Sequence, residues 1–170
     1  MGLKIGHERL KRDGVSSWFI ASQLDKVPLG PSLIDLKKHK LLILHQVREP
    51  LSAISSMQSL GSPSWRFLEK LIPISLQNDS KIVLAMKYYY YWNLKTEEIA
   101  SIRVKAENFG ERIKDILDQY NIIYKDQNIT INEKTKVNTR LHSKLSWDDL
   151  TKEDRVLAEK IKSLAKKYNY

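Results

Sequence analysis

An arginine that follows an apolar run and precedes a serine-rich segment is the part of the sequence best suited to chemistry. Arg48 comes directly after the stretch 40–47, and Pro50 follows two residues later. Proline suits the first turn of a helix, where its missing N–H group is not needed. At the carboxyl end of a strand and beside a helix N-terminus, a guanidinium group attracts anions, and so does the helix dipole. We therefore predict an anion-binding site at Arg48.

Hydroxyl groups follow Arg48 at helical spacing. Three of them are four and three residues apart and so share one helical face: Ser52, Ser56 and Ser59. Apolar residues occupy the other side, which we expect to face the core: Ala53, Ile54, Met57 and Leu60. The serine face then either lies in solvent or turns towards a ligand beside Arg48, and the periodicity alone favours neither.

Strand and helix patterns alternate along the rest of the chain. The run 40–47 is almost continuously apolar, which is typical of a strand covered on both faces. Alternating strands and helices predict an α/β fold with a parallel sheet flanked by helices, and ligands bind such sheets at the carboxyl ends of the strands. The predicted strands are 3–6, 40–47 and 100–104. The predicted helices are 14–24 (after a turn at Gly14), one beginning at Pro50, 64–71, 80–98, 110–120 and one from a capping box at 151–154 to about 168.

The segment 47–56, VREPLSAISS, resembles the 3′-phosphate-binding segment of sulfotransferases, which use the donor 3′-phosphoadenosine 5′-phosphosulfate. That segment has an apolar strand, Arg, any residue, Pro, and a Ser eight positions after the Arg, and Arg48 and Ser56 have this spacing. The resemblance implies that both contact the 3′-phosphate of the donor, with Ser52 and Arg140 as further donor-binding residues. Three weaker similarities accompany it, at 88–93 (YYYYWN), 102–109 (IRVKAENF) and 164–170 (LAKKYNY).

The resemblance also implies a fold and a reaction. We expect a single domain over 1–170 with the three-layer architecture of P-loop NTPase-like proteins, whose complete members transfer a sulfuryl group to a hydroxyl acceptor. Sulfotransferases hold the 5′-phosphosulfate in a Gly-Thr-Thr type of loop, and the six glycines of this chain never cluster. We therefore expect a chain that begins after that strand, loop and helix and is inactive alone. Self-association or a companion segment would cover the strand left unpaired.

Candidates for the general base lie just after the first predicted strand. The family places its His or Glu base in this general region, which makes His7 and Glu8 the candidates; the alternative is that His7 hydrogen-bonds a loop and Glu8 lies in solvent. His45, inside a predicted strand, fits a core histidine better than a base. Arg103 is either an anion ligand or an ion-pair partner of Glu107. Three further residues lie in a late polar loop, where many sulfotransferases bring a basic segment over the donor: Asn138, Arg140 and His142.

Aromatic residues of the helix 80–98 leave two interpretations open. Tyr88, Tyr91 and Trp92 share one helical face, and they either pack in the core or stack against adenine or an aromatic acceptor. Core packing is the interpretation that the helical spacing favours.

The amino-acid composition limits the classes of protein to which this chain can belong. The 170 residues include no cysteine, which suits a reducing compartment and a cytoplasmic location, and no metal-ligand spacing is present. No apolar run is long enough to span a bilayer. With 29 basic and 20 acidic residues the net charge is +9, which favours anionic partners. Besides a sulfotransferase-like protein, a non-catalytic nucleotide- or anion-binding module and a basic structural or nucleic-acid-associated protein therefore remain possible.

Overall fold

A computed structural model describes residues 5–7, 14–16, 42–122 and 143–170 of the chain. Its strands are β1 (Ile5–His7), β2 (Gly14–Ser16), β3 (Leu44–Val47) and β4 (Ile102–Lys105). Its α-helices are α1 (Pro50–Met57), α2 (Ser62–Leu68), α3 (Lys81–Glu97), α4 (Phe109–Gln119), α5 (Trp147–Glu153) and α6 (Arg155–Lys167), and a 3-10 turn covers Ala106–Asn108. The predicted α/β character is thus confirmed, with helices as the larger part of the described chain.

The chain divides into two compact units. Unit 1 comprises Met1–Gln46 and Thr96–Thr135, and unit 2 comprises Val47–Lys95 and Lys136–Tyr170. The four strands belong to unit 1 except for Val47, the last residue of β3. Most of the described helical residues belong to unit 2.

The first strand pair of unit 1 is parallel. β1 pairs with β2 in the register Ile5↔Gly14, Gly6↔Val15 and His7↔Ser16. The prediction of a turn at Gly14 is therefore wrong, because Gly14–Ser16 is extended. A pairing between separate segments overrides the local preference of glycine for turns, as tertiary contacts often do in short strands.

The second strand pair of unit 1 joins β3 to β4. Just before β3, the Ile43 carbonyl accepts hydrogen bonds from the N–H groups of Ser101 (2.9 Å) and Ile102 (3.3 Å), and the Ile43 N–H donates to the Ser101 hydroxyl (3.1 Å). The two strands therefore begin side by side, which makes them run in the same direction. His45 is buried but Gln46 is exposed, so the predicted cover on both faces of the strand is wrong at Gln46.

Helix α4 completes the described part of unit 1. Its apolar residues recur at helical spacing and are buried: Ile113, Ile116 and Leu117. Two residues after the end of α4 at Gln119, Asn121 has a φ of 52°, and its neighbour Ile122 donates back to the Leu117 carbonyl (2.9 Å). This left-handed residue with its return hydrogen bond is a Schellman motif, which satisfies carbonyls that the end of a helix leaves unpaired.

Helices α1, α2 and α3 of unit 2 bury one side of each helix. The buried apolar residues are Ala53 and Ile54 of α1, Trp65 and Leu68 of α2, and Leu84, Ala85, Met86, Tyr89 and Trp92 of α3. Helix α1 begins at Pro50, as predicted, and α3 lies within one residue of its predicted bounds at each end.

Helices α5 and α6 of unit 2 are joined at one residue, Asp154. The capping box predicted at 151–154 lies instead at Ser146: its hydroxyl accepts from the N–H of Asp149 (3.2 Å), and its own N–H donates to the Asp149 carboxylate (2.8 Å). Asp154 then caps α6 by accepting from the N–H of Leu157 (2.9 Å). Helix α6 buries an apolar stripe: Leu157, Ala158, Ile161, Leu164 and Ala165.

None of the helices in the described ranges combines the length and the apolarity that crossing a membrane requires.

Candidate anion-binding site

Arg48 lies between the end of β3 and the start of α1, as the sequence predicts. Its side chain is exposed. Within residues 42–122 and 143–170, its guanidinium group has neither an ion pair nor a hydrogen bond. An exposed guanidinium retains its donors for a phosphate or sulfate group from solvent, so the position suits an anion ligand.

The N-terminus of α1 already holds a negative charge. The Glu49 carboxylate accepts hydrogen bonds from the N–H groups of Leu51 (2.9 Å) and Ser52 (2.7 Å). The helix N-terminus was predicted to attract an anion, but Glu49 occupies two of its N–H groups and offsets the positive end of the helix dipole. An anion beside Arg48 therefore has to be held mainly by side chains.

The serines of α1 differ in exposure. Ser52 is exposed and Ser56 is half-buried, so this face of α1 is at least partly open, while Ser55 is buried. Ser59, predicted to share the face, is exposed but lies beyond the end of α1 at Met57. The Ser55 hydroxyl donates to the carbonyl of Ser143 (2.6 Å), a contact that the pattern of the sequence does not predict. Of the predicted donor-binding residues, Arg48, Ser52 and Ser56 all lie in unit 2 and all reach its surface.

Two tyrosine hydroxyls hold the backbone at Arg48. The Tyr89 hydroxyl, from α3, donates to the carbonyl of Arg48 (3.0 Å), and the Tyr170 hydroxyl donates to the carbonyl of Val47 (3.2 Å). Neither contact was predicted from the sequence. The signals present in the sequence were the tyrosine run in α3 and the terminal tyrosine, but neither indicates which carbonyl a hydroxyl reaches.

The aromatic side chains of α3 pack against one another and against α2. The Tyr88 ring makes edge contacts with Trp65 (6.2 Å between centroids) and with Trp92 (5.6 Å), and Trp92 is 8% exposed. Tyr91 makes an edge contact with Tyr90 (5.1 Å). Such edge-to-face pairs are typical of packed aromatic clusters. For Tyr88 and Trp92 this supports core packing rather than stacking against an adenine.

Of the other candidate residues, the structure describes the side chains of His45 and Arg103 only. His7 is the last residue of β1, but its side chain lies outside the described part of the structure, as do Glu8 and the loop residues Asn138, Arg140 and His142. His45 is 4% exposed, in agreement with its interpretation as a core histidine. Arg103 forms an ion pair with Glu97 (3.0 Å).

Comparison of the chain with protein-family models, curated proteins and solved structures gives no match. In the described ranges, no cluster of three or more His, Cys, Asp or Glu side chains is arranged to hold a metal ion.

Proposed function

We propose that this protein binds the adenosine 3′,5′-bisphosphate part of 3′-phosphoadenosine 5′-phosphosulfate, with Arg48 and Ser56 on the 3′-phosphate and Ser52 beside them. The observation that supports this most directly is the exposed guanidinium of Arg48 at the junction of β3 and α1, next to a helix with accessible hydroxyls. The spacing of Arg48 and Ser56 is that of the sulfotransferase segment.

The chemistry of the side chains suits a phosphate. A guanidinium group donates two parallel hydrogen bonds to phosphate oxygens, and a hydroxyl adds a neutral donor. Ser56 lies six residues after the start of α1, about 9 Å along the helix axis. Helical side chains lean towards the N-terminus, and an arginine side chain is long, so both groups can reach one phosphate over this face.

The remainder of the sulfotransferase assignment belongs to the same proposal. It comprises a three-layer, P-loop NTPase-like architecture, His7 or Glu8 as the base that takes the acceptor proton, and Arg140 on the donor. Sulfuryl transfer also requires preorganised groups around the 5′-phosphosulfate. The sequence of 170 residues contains no loop of that type, so we propose that it binds the nucleotide but needs a companion segment or partner for turnover. A cytoplasmic location is part of the proposal and rests on the absence of cysteine.

The experiment is isothermal titration of adenosine 3′,5′-bisphosphate into the wild-type protein, Arg48→Ala, Arg48→Lys and Arg66→Ala. Arg66 is the matched control, since it is an exposed arginine in α2 of the same unit and its replacement changes the net charge equally. We expect Arg48→Ala to lose about 1.5–3 kcal/mol of binding free energy, because a hydrogen bond to a charged group is removed. Arg48→Lys should lose part of this, since lysine keeps the charge but not the planar fork.

The controls separate this proposal from the general attraction of a basic surface. If net charge alone binds the nucleotide, Arg66→Ala and Arg48→Ala will weaken binding equally. The affinity for adenosine 5′-monophosphate will then differ from that for the bisphosphate only by the amount that its smaller charge explains. Equal affinities of the wild-type protein and Arg48→Ala would overturn the assignment of the 3′-phosphate to Arg48.

A further inference from the structure

Two consecutive carbonyl groups at the end of β3 accept hydrogen bonds from tyrosines of different elements. The Val47 carbonyl accepts from Tyr170 (3.2 Å) and the Arg48 carbonyl accepts from Tyr89 (3.0 Å). The Glu49 carbonyl accepts the first hydrogen bond of α1, from the N–H of Ala53 (3.0 Å), so the helix bonds reach residue 49. Arg48 lies between this cap and the last residue of β3. The two hydroxyls therefore act on the peptide groups from which the Arg48 side chain emerges.

Each tyrosine is itself held in place. Tyr89 is 1% exposed within the buried side of α3, which leaves its ring little freedom. Tyr170 follows Asn169, whose φ of 63° turns the chain, and the N–H of Tyr170 donates to the Ala165 carbonyl (2.9 Å). This bond, together with that from the N–H of Asn169 to the Lys166 carbonyl (3.0 Å), forms a Schellman motif at the end of α6. The backbone at Arg48 is thus connected to a buried helix and to a well-defined helix end.

We infer that Tyr89 and Tyr170 are positioning residues for Arg48: they hold the peptide groups at 47–48 so that the guanidinium group is preorganised for the phosphate. This inference rests on the proposed function. Neither tyrosine touches the ligand. A side chain attached to a fixed backbone loses less conformational freedom on binding, and a preorganised donor therefore binds more tightly than a mobile one.

The test uses Tyr89→Phe and Tyr170→Phe, each of which removes one hydroxyl and keeps the ring. Titration calorimetry with adenosine 3′,5′-bisphosphate should show about threefold to tenfold weaker binding for each variant, the range that corresponds to one lost hydrogen bond. With adenosine 5′-monophosphate, which lacks the 3′-phosphate, the affinities should not change. Tyr91→Phe is the matched control, since it removes a hydroxyl from the same helix at a half-buried residue whose ring packs on Tyr90.

A double-mutant cycle gives the decisive readout. In the Arg48→Lys background, removal of either hydroxyl should weaken binding of the bisphosphate less than in the wild-type background, because the bidentate contact that it positions is already lost. Thermal unfolding monitored by circular dichroism tests whether each variant is folded. Tyr170→Phe changes a partly exposed residue and keeps the test valid should Tyr89→Phe unfold.

The outcomes separate the two proposals. If Arg48→Ala binds as well as the wild-type protein, the proposed function fails. If Arg48→Ala loses affinity while both tyrosine variants bind like Tyr91→Phe, the proposed function stands and the positioning role is wrong. Equal losses in the wild-type and Arg48→Lys backgrounds, or equal losses for the bisphosphate and the monophosphate, also overturn the positioning role, since the hydroxyls would then act elsewhere.

Discussion

Glu49 places a carboxylate beside the arginine that we propose as the phosphate ligand. Its two hydrogen bonds to the N–H groups of Leu51 and Ser52 stabilise the first turn of α1. The same negative charge repels an anion that approaches Arg48. The residue therefore stabilises the helix and opposes ligand binding, and these two effects can be measured separately.

Replacement of Glu49 should change stability and affinity in opposite directions. We expect Glu49→Ala to lower the free energy of unfolding by about 1 kcal/mol, because two amides lose their cap, and to strengthen binding of adenosine 3′,5′-bisphosphate. Urea unfolding and titration calorimetry measure the two quantities.

Glu49→Gln is the control for this experiment, since its amide oxygen still accepts a hydrogen bond but carries no charge. It should retain more of the stability than Glu49→Ala and bind the bisphosphate more tightly than the wild-type protein. Weaker binding by both variants would mean that Glu49 assists the ligand rather than repelling it.

The ionisation of the Asp149 carboxyl links the stability of the fold to pH. Hydrogen bonds from the Ser146 hydroxyl and backbone N–H hold the pKa of the Asp149 carboxyl below its ordinary value of 3.8. A lowered folded-state pKa stabilises the folded protein above the unfolded-state value, and this stabilisation is lost as the pH falls through the folded-state pKa.

We expect an NMR titration to find a pKa for Asp149 below 3.8 in the wild-type protein and closer to 3.8 in Ser146→Ala, where the largest cause of the shift is removed. Identical titration curves for Asp149 in the two proteins would contradict this origin of the shift.

At the scale of elements, two helices end in the same way. Asn121 after α4 and Asn169 after α6 both have positive φ angles, of 52° and 63°. In each case the next residue donates to a carbonyl of the last helical turn, Ile122 to Leu117 and Tyr170 to Ala165. Asparagine tolerates this left-handed conformation better than most residues, and glycine tolerates it best. For α6 the motif also directs Tyr170 towards Val47.

Asn169→Ala should lower the free energy of unfolding by about 1 kcal/mol, because a Cβ atom disfavours the left-handed backbone and alanine has no polar group to compensate. Asn169→Gly should retain the stability of the wild-type protein or exceed it. Chemical denaturation of the two variants measures the difference between them, and the pair Asn121→Ala and Asn121→Gly repeats the test on α4. Equal stability of the alanine and glycine variants at position 169 would refute the dependence on φ.

Local signals predicted the elements well where one residue determines the boundary. Pro50 begins α1 because the N–H groups of the first turn have no partner within the helix, so a proline costs no hydrogen bond there, and this preference is local. The capping box was predicted at Thr151 to Asp154, where a threonine and an acidic residue have the required spacing. The structure uses Ser146, and it places Thr151 inside α5 with its hydroxyl donating to the Trp147 carbonyl (2.7 Å). Leu150 is buried completely in this arrangement, and a burial of that kind is not visible in a local pattern.

At the scale of the whole molecule, the prediction concerns turnover. Residues 1–170 alone should transfer no measurable sulfuryl group from 3′-phosphoadenosine 5′-phosphosulfate, since removal of even one preorganised donor typically lowers a rate by about 10²–10³ and the sequence lacks the entire loop. The measurement is transfer of labelled sulfate to a panel of alcohols, phenols and sugars. Turnover that Arg48→Ala abolishes would contradict the prediction and would direct attention to the loop around Arg140 as the replacement.

The sequence by itself determined the features that depend on neighbours along the chain. These are the helix that begins at Pro50, the extent of α3 to within one residue at each end, the position of Arg48 between strand and helix, and the net charge of +9. Only the tertiary structure decided which groups far apart in sequence meet, such as Ser55 with Ser143 and Tyr89 with Arg48. The physical reason is that propensity and periodicity act within a few residues, whereas the partner of a buried hydroxyl depends on how whole elements pack.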